Sequence, residues 1–422
     1  MLDGSTAKKA TVLIAVMCLS QVLGMLDNAT FSALITLFQQ KWQLNNTEIG
    51  WISGIYYGGY AAAVPLLVAF TDREDARRIY LYSMALGGLA ALGFAFLAGG
   101  FWGAMFFRLF AGISLAGTYM VGLKLLTDLI HGKKEQSRAV AYYTAHFAIG
   151  TGVSVFVAGE VWQLLGWQWS FIVAGIGSFF AWLVVLLFVA KGLKPEQHIP
   201  FRDVVNFKPV IANRPALGYI LAYAAHLWEL FALRAWLVAF LVFSLSLQPV
   251  GSFDWSPTQI ASWVFLLGLP ASVIGNEFSV RFGRRKLLTI VMGTSALIGF
   301  VIGFSASLPF VVVIVAFTIY GISATADSSS LTSGVVANSD PKRKGATMAL
   351  QSLAGFAAGS LSPIIFGAVL DLFGGSENTL AWAAAFSTMG IGVLLGPLII
   401  HKFGRPKPLS QGVSREDCID RM

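Results

Sequence analysis

The chain has 422 residues, of which 56% are hydrophobic and 12% are charged, and its mean hydropathy is +0.72. A soluble globular protein needs polar faces on its helices and strands, so this composition excludes an ordinary soluble enzyme. Cys18 and Cys418 are the only cysteines, which are too few for a disulfide framework.

Apolar runs of about 20 residues follow one another along the chain, and each is long enough to cross the hydrocarbon core of a membrane as a helix. The first run follows Lys8 and Lys9, as in a signal peptide, but it is too long, contains Asp27 and lacks a small-residue cleavage pattern. We therefore predict an all-α integral membrane protein with twelve transmembrane helices, called spans 1 to 12. They cover residues 10–38, 48–70, 79–98, 101–127, 138–165, 167–190, 213–247, 257–279, 287–306, 308–335, 345–373 and 379–402.

Positive charge is distributed unevenly over the segments between the spans. If the N-terminus is cytoplasmic, the two termini and the cytoplasmic connections hold 25 of the 29 Lys and Arg residues. This asymmetry follows the positive-inside rule and predicts a protein of the plasma (inner) membrane with both termini cytoplasmic. The net charge of +8 therefore indicates orientation, and we expect no nucleic-acid partner. The four exceptions are Lys41 outside and Arg108, Lys124 and Arg234 within spans.

An internal repeat relates the two halves of the sequence. The charged stretch at residues 72–78, between spans 2 and 3, recurs at residues 280–286, between spans 8 and 9, at an offset of 208. Spans 2 and 8 also begin alike, with Thr47 and Thr258 as predicted capping hydroxyls. The same offset of 208 relates Gly159 to Gly367 and Gly166 to Gly374.

The repeat predicts two pseudo-symmetric six-helix bundles around a central cavity, which is an architecture of membrane transporters. The predicted N-terminal bundle is residues 1–190 and the C-terminal bundle is residues 213–402. A cytoplasmic linker at 191–212 joins them, and residues 403–422 form a cytoplasmic tail.

Two motifs lie in register with this framework. Asp72, Arg73, Arg77 and Arg78 fit the charged positions of the pattern that the major facilitator superfamily carries between spans 2 and 3. The segment from Arg108 to Gly112 fits a second pattern of that family, in span 4. With twelve spans and an internal repeat, the chain resembles the major facilitator superfamily over nearly its whole length.

The sequence departs from the family's patterns at three places. Val68 and Asp75 occupy the two glycine positions of the first pattern. The Gly-Pro pair that drug antiporters carry in span 5 is absent from residues 149–155. The last departure argues against drug efflux.

The resemblance implies that the charged stretch is a cytoplasmic gate. Asp72 would face the N-terminus of span 11 near Gly345, where the helix dipole favours an anion. Arg73 would pair with Asp128 at the inner end of span 4, and this clasp would hold the halves together while the outside is open. In the alternative interpretation the stretch only anchors a loop, since Arg77 and Arg78 alone would satisfy the positive-inside rule.

Glycines recur at four-residue intervals in two spans that the family packs against each other. They permit close helix contact across the two halves, although packing inside one half is the alternative. They are Gly50, Gly54 and Gly58 in span 2, and Gly355 and Gly359 in span 11.

Ionisable residues at membrane depth are costly unless they are paired or hydrated, so they indicate function. They fall on spans 1, 4, 7 and 10, which line the central cavity in the resembling family. The guanidinium groups of Arg108 and Arg234 favour an anionic solute, because such groups hold carboxylates bidentately. For Lys124 the sequence favours a local pair with Asp128, four residues on. We predict a substrate site formed by Arg108, Arg234, Asp327, Tyr119 and Trp228.

Three titratable residues are predicted to carry a coupled proton. His226 and Glu229 lie three residues apart on one face of span 7. Asp27 is the favoured carrier, because a carboxylate near the middle of the membrane protonates readily when it is unpaired. In the rival interpretation Asp27 is permanently bridged to Arg108 or Arg234.

These observations predict a proton-coupled secondary transporter that moves a small, organic and anionic solute by alternating access. No phosphate-binding loop or metal-ligand cluster occurs in the sequence, so we expect no enzymatic activity, cofactor or metal. The expected partners are the substrate, protons and the lipid bilayer, and we expect a monomer. The alternatives are a proton-driven exporter of a metabolite or drug and a transporter-like sensor that moves nothing.

Overall fold

The computed structural model describes residues 4–71, 73–130, 132–191, 206–249, 251, 253–340 and 343–403. In these residues all regular structure is helical. In the described part of the chain, eleven helices are long and apolar enough to cross a membrane, and a shorter apolar helix, Lys9–Gly24, accounts for the remaining span. The predicted fold of twelve transmembrane helices is confirmed.

Most spans are single helices, with bounds within a few residues of the predicted ones. Spans 2 to 6 are Asn46–Phe70, Ala76–Leu97, Phe101–Leu129, Lys133–Leu165 and Trp167–Phe188. After a short helix at Lys208–Ala212, spans 7 to 9 are Arg214–Ser246, Pro257–Phe282 and Arg284–Ile302, the last continued by a 3-10 turn at Gly303–Ser307. Spans 11 and 12 are Lys344–Leu372 and Thr379–Phe403.

Two spans are interrupted, and both interruptions contain an acid. Span 1 consists of Gly4–Gly24, Thr30–Ala33 and Ile35–Trp42, with turns at residues 25–29 around Asp27. Span 10 consists of Phe310–Ala326 and Ser328–Asn338, with Asp327 between them. Non-helical backbone at membrane depth must be buried in protein, and both acids are almost fully buried.

Spans 2 and 8 begin with the same capping arrangement. The side chain of Asn45 accepts a hydrogen bond from the backbone N–H of Glu48, whose carboxylate accepts one from the N–H of Asn45. Ser256 and Gln259 repeat this reciprocal pair at span 8. The predicted symmetry of the two starts is confirmed, but the caps lie two residues before the predicted threonines, Thr47 and Thr258.

The twelve spans place the described ends of the chain, Gly4 and Phe403, on one side, which we call the terminal face; the opposite side is the distal face. Spans 1–6 form the N-terminal half and spans 7–12 form the C-terminal half. The halves meet where span 2 packs against span 11 and where span 5 packs against span 8. The predicted bundle boundaries stay predictions, because most of the linker lies outside the described residues.

Candidate functional site

Span 7 presents two different faces to the rest of the molecule. At about 100° per residue, Arg234 lies on the same face as Tyr223 and Leu227, whereas Glu229 is turned away by about 140°. The first face is directed towards the N-terminal half, since Arg234 contacts Phe147 of span 5. The second face is directed into the C-terminal half, since Glu229 contacts Ser295 of span 9.

Aromatic side chains from both halves surround Arg234. Its Cζ lies 5.1 Å from the ring centroid of Phe147 and 5.6 Å from that of Phe231. Together with three tyrosines these residues form what we call the Arg234 site. Its members are Arg234, Tyr57, Tyr119, Phe147, Tyr223 and Phe231.

Arg234 is buried without a carboxylate partner among the described residues. Its side chain forms no ion pair there, its Nε has no hydrogen-bond partner, and the residue is 6% exposed. Cation–π contacts recover only about 0.5–2 kcal/mol, while a buried unpaired charge costs several kcal/mol. The Arg234 site therefore carries a positive charge that a bound anion would neutralise.

Arg108, in contrast, is held by the interruption of span 1. Its Nη1 donates to the backbone oxygen of Asp27 at 2.9 Å and to Asp27 Oδ2 at 3.2 Å, and its Nη2 donates to the backbone oxygen of Asn28 at 3.1 Å. The Arg108 Cζ also lies 4.1 Å from the ring centroid of Tyr56. Arg108 thus donates to two carbonyl groups in the break, and that of Asp27 also accepts a long hydrogen bond from the N–H of Thr30 at 3.4 Å.

The break in span 1 has further supports from span 5. Ser154 Oγ accepts from the N–H of Ala29 at 2.9 Å and donates to the backbone oxygen of Leu26 at 2.6 Å. Asp27 Oδ1 has no hydrogen-bond partner, and Asp27 borders a cavity of about 10 Å³ inside the N-terminal half. Asp27 and Arg108 therefore form the bridged pair that the rival interpretation of the sequence described.

His226, Glu229 and Asp327 lie together inside the C-terminal half. His226 Nδ1 is 2.9 Å from Asp327 Oδ1, and Glu229 Oε1 accepts a 2.7 Å hydrogen bond from Ser295. Tyr320 of span 10 lies beside the Glu229 carboxyl group. We call these five residues the Glu229 cluster; its three titratable members His226, Glu229 and Asp327 are at most 1% exposed.

Two residues predicted for the substrate site lie elsewhere. Asp327 contacts His226 rather than the Arg234 site, and the indole of Trp228 donates to the backbone oxygen of Thr388 in span 12 at 3.1 Å. The serines that follow Asp327 face span 8, as in the 2.6 Å contact between Ser329 and Ser272. The geometry brings together Arg234 and Tyr119, and it lends no support to Asp327 or Trp228 as substrate contacts.

Most of the aromatic lining of the Arg234 site was not predicted from the sequence. Phe147, Tyr223 and Phe231 were not singled out, and Tyr57 is brought to the site by a stack on Phe231 with 3.9 Å between ring centroids. A signal was present in span 7, where the spacing of Tyr223, Phe231 and Arg234 fits one helical face. Phe147 had no comparable signal.

A second feature that the sequence analysis missed lies at the distal face. Asp371, at the end of span 11, accepts hydrogen bonds from the N–H and side chain of Asn46 at 3.1 and 2.7 Å. It also accepts from the N–H and hydroxyl of Thr47 at 2.7 and 2.6 Å. This carboxylate at the N-terminus of span 2 joins the two halves, and we call it the distal latch.

A weaker contact joins spans 5 and 8 at the same face. Gln259 Nε2 donates to Glu160 Oε1 at 2.8 Å, and Ser262 donates to the backbone oxygen of Gly152 at 2.8 Å. Glu160 and Asp371 thus lie near the distal ends of spans 5 and 11, which correspond in the repeat. Polar bonds between the halves are concentrated at the distal end.

The predicted glycine contact between spans 2 and 11 is confirmed for span 2 only. The backbone of span 11 at Ser360 lies so close to Gly54 that a Cβ there would collide with its carbonyl oxygen. Gly355 and Gly359 instead pack against Tyr223 and Phe231 of span 7, within the C-terminal half.

The predicted cytoplasmic gate is described only in part, because Asp72 lies outside the described residues. Asp128 pairs with Lys124 at 2.7 Å, as the sequence predicted for Lys124, and its predicted pair with Arg73 is not formed in this conformation. Arg77 donates to the backbone oxygen of Leu186, and Arg78 pairs with Glu74 at 3.6 Å. The gating role of this stretch stays a prediction.

A membrane protein of twelve spans in two six-span halves has the architecture of a membrane transporter. The sequence model of the Major Facilitator Superfamily matches residues 17–350 and 246–417. The chain therefore belongs to this superfamily, and the resemblance seen in its motifs is confirmed.

Several known proteins are similar to this chain along most of its length. The hexuronate transporter of Escherichia coli (strain K12) is 24% identical over 426 residues, which cover 94% of each protein. The solved structure of a bacterial homolog of the human lysosomal transporter Spinster, inward-facing and unoccupied, has a TM-score of 0.69 at 13% identity and covers 94% of this chain and 95% of that one. The nucleoside transporter NupG has a TM-score of 0.71 at 13% identity and covers 94% of this chain and all of that one (100%). The two structures show the fold alone.

Proposed function

We propose that this protein is a secondary transporter of an organic anion, of the sugar-acid type, and that the anion binds at the Arg234 site. The observation that carries the proposal is the buried guanidinium of Arg234 without a carboxylate partner among the described residues. A carboxylate ligand would neutralise it through two parallel hydrogen bonds. The similarity to a hexuronate transporter supports the same class of substrate.

The lining of the site suits the rest of a sugar acid. The hydroxyls of Tyr57, Tyr119 and Tyr223 offer donors and acceptors around Arg234. The ring of Phe147 offers an apolar surface for the C–H face of a pyranose. A neutral sugar would use the same surfaces but leave the guanidinium unpaired, so charge would determine specificity.

We further propose that the terminal face is cytoplasmic, as the positive-inside rule predicts. The distal latch then closes the outer end of the passage, and the stack of Tyr60 on Phe356, with 3.6 Å between ring centroids, lies past the middle of span 2 towards the terminal face. On this assignment the conformation is closed to the outside, and Arg234 is buried. Transport would proceed by rocking the two halves about the Arg234 site, with the charged stretch at 72–78 replacing the distal latch when the outside opens.

Coupling to protons is part of the proposal. Arg108 already pairs with Asp27, so an anion that binds at the Arg234 site does not need to displace Asp27 from Arg108. The candidate proton carriers predicted from the sequence are Asp27, His226 and Glu229. Import of anion with proton would move a neutral pair across the membrane. We place the protein in the plasma (inner) membrane with both termini cytoplasmic, acting as a monomer without enzymatic activity.

Counterflow in proteoliposomes tests the transport function. Vesicles loaded with unlabelled D-glucuronate should accumulate labelled D-glucuronate through the protein, and D-glucose should not compete. The proposal is wrong if vesicles exchange no organic carboxylate from a panel of sugar acids and short hydroxy acids, or if they exchange a neutral sugar equally well.

A further inference from the structure

The C-terminal half contains an acid that neither the substrate site nor any cation of the described chain neutralises. Glu229 is fully buried, and its only described hydrogen bond is the one from Ser295 to Oε1. Among the described residues, Glu229 Oε2 and the neighbouring Tyr320 hydroxyl form no hydrogen bond of good geometry, although the two groups lie side by side. A buried carboxylate in this condition favours binding a proton or another cation.

The groups that face Glu229 do not supply that cation. On span 7 itself, His226 is directed to Asp327, and Arg234 lies on the opposite face at the substrate site. Span 10 contributes Tyr320 and Asp327, which add no positive charge. Spans 9 and 12 have their described cations only near their terminal-face ends, at Arg284 to Lys286 and at His401 and Lys402.

The N-terminal half has a buried neutral residue, Gln21, near the position that corresponds to Glu229 in the repeat. The offset of 208 seen at residues 72–78 pairs Gln21 with Glu229 and Gly87 with Ser295, whereas the starts of spans 2 and 8 are offset by 211. Gln21 is also buried, and its Oε1 accepts a 2.8 Å hydrogen bond from Tyr143. The N-terminal half therefore holds a neutral amide of the same size where the C-terminal half holds an acid and a hydroxyl.

We propose that Glu229, positioned by Ser295 and Tyr320, binds the coupled proton at a site inside the C-terminal half that is separate from the anion site. This proposal rests on the proposed function, and it assigns the proton to Glu229 rather than to Asp27, whose carboxylate is already held by Arg108. The anion and proton sites are five residues apart on opposite faces of span 7. Rotation or bending of this one helix would couple them without direct contact.

Proton binding can be tested without any substrate. Infrared difference spectra of the purified protein between alkaline and acidic buffer should show the carbonyl band of a protonated carboxylic acid. The band should be lost in Glu229→Gln and retained in Asp27→Asn. A band that persists in Glu229→Gln would overturn the assignment. If Glu229→Gln does not fold, Glu229→Asp should shift the frequency or the titration midpoint of the band. An unchanged band in Glu229→Asp would also contradict the assignment to Glu229.

Transport then tests coupling separately from substrate binding. In proteoliposomes, Glu229→Gln should lose accumulation of D-glucuronate driven by a pH gradient but keep counterflow exchange. If wild-type protein exchanges no glucuronate while the infrared band behaves as expected, the proposed function is contradicted. The assignment of the proton site to Glu229 is not contradicted by that result. Accumulation that requires a sodium gradient, or that survives in Glu229→Gln, would refute Glu229 as the coupling site.

Discussion

Asp371 Oδ2 lies 2.6 Å from the hydroxyl of Thr47 and 2.7 Å from its backbone nitrogen, and these two residues belong to opposite halves of the protein. The carboxylate thus caps the first turn of span 2 from the last turn of span 11. The contact predicted for the other face runs in the reverse direction, from Asp72 at the end of span 2 to the start of span 11. The two carboxylates would stabilise opposite conformations of one transporter.

Asp371→Asn should weaken the distal latch. The substitution removes the charge from four hydrogen bonds, but Asp371 is exposed to solvent, so we expect a loss of about 1.4 kcal/mol, or a tenfold shift towards the distal-open state. Spin labels at Gln40→Cys and Glu377→Cys would report the distance across this face. Glu48→Gln is the matched control, because Glu48 caps the same turn from within span 2. Equal distance distributions in Asp371→Asn and the control would show that the latch has no energetic role.

Asp72→Asn should have the opposite effect. If Asp72 holds the terminal face closed in the outward-open state, its loss shifts the population towards the inward-facing state and reduces transport severely. The same pair of spin labels should then report a larger closed fraction at the distal face. Unchanged transport and unchanged distances would show that the charged stretch at 72–78 only anchors a loop and has no gating role.

Gly54→Ala should also disturb the distal-closed state. Its Cβ would collide with the carbonyl oxygen of Ser360, which cannot move without displacing span 11. Gly58→Ala is the control, since its nearest neighbour would be 3.8 Å away. We expect slower counterflow and more distal opening in Gly54→Ala only. Similar rates in the two variants would contradict a tight contact between spans 2 and 11 during transport.

Arg108→Lys tests whether Arg108 stabilises the fold or binds the substrate. The sequence alone predicted a raised KM for this variant, because both arginines were assigned to the anion. In the structure Arg108 donates three hydrogen bonds to Asp27 and Asn28, and a lysine cannot reproduce this fork. We now expect a lower thermal stability, corresponding to about 1–3 kcal/mol, with the affinity for D-glucuronate nearly unchanged. A large rise in the Kd for D-glucuronate without loss of stability would show that Arg108 belongs to the substrate site.

The sequence predicted the elements better than the contacts, for physical reasons. Span length and charge asymmetry are properties of single segments, so twelve spans and two similar helix starts followed from composition and spacing. Which neighbour a buried charge meets depends on helix rotation, and Glu229 and Arg234 looked equivalent by depth although they face opposite sides. The break in span 1 was missed because the apolar run through Asp27 continues without a proline. From the sequence Asp371 was expected to lie at the membrane interface, because its neighbours in the sequence do not indicate that it caps the start of span 2.

The identity of the anion-binding group is decided by the binding of D-glucuronate to wild-type protein and to Arg234→Ala, measured by calorimetry on the purified protein with D-glucose as the neutral comparison. We expect wild-type protein to bind glucuronate and not glucose. We expect Arg234→Ala to bind glucuronate at least tenfold more weakly, since a charged hydrogen-bonded pair contributes about 1.5–3 kcal/mol. Equal affinity of the two proteins for glucuronate, or equal affinity of wild-type protein for glucuronate and glucose, would contradict an anion site at Arg234.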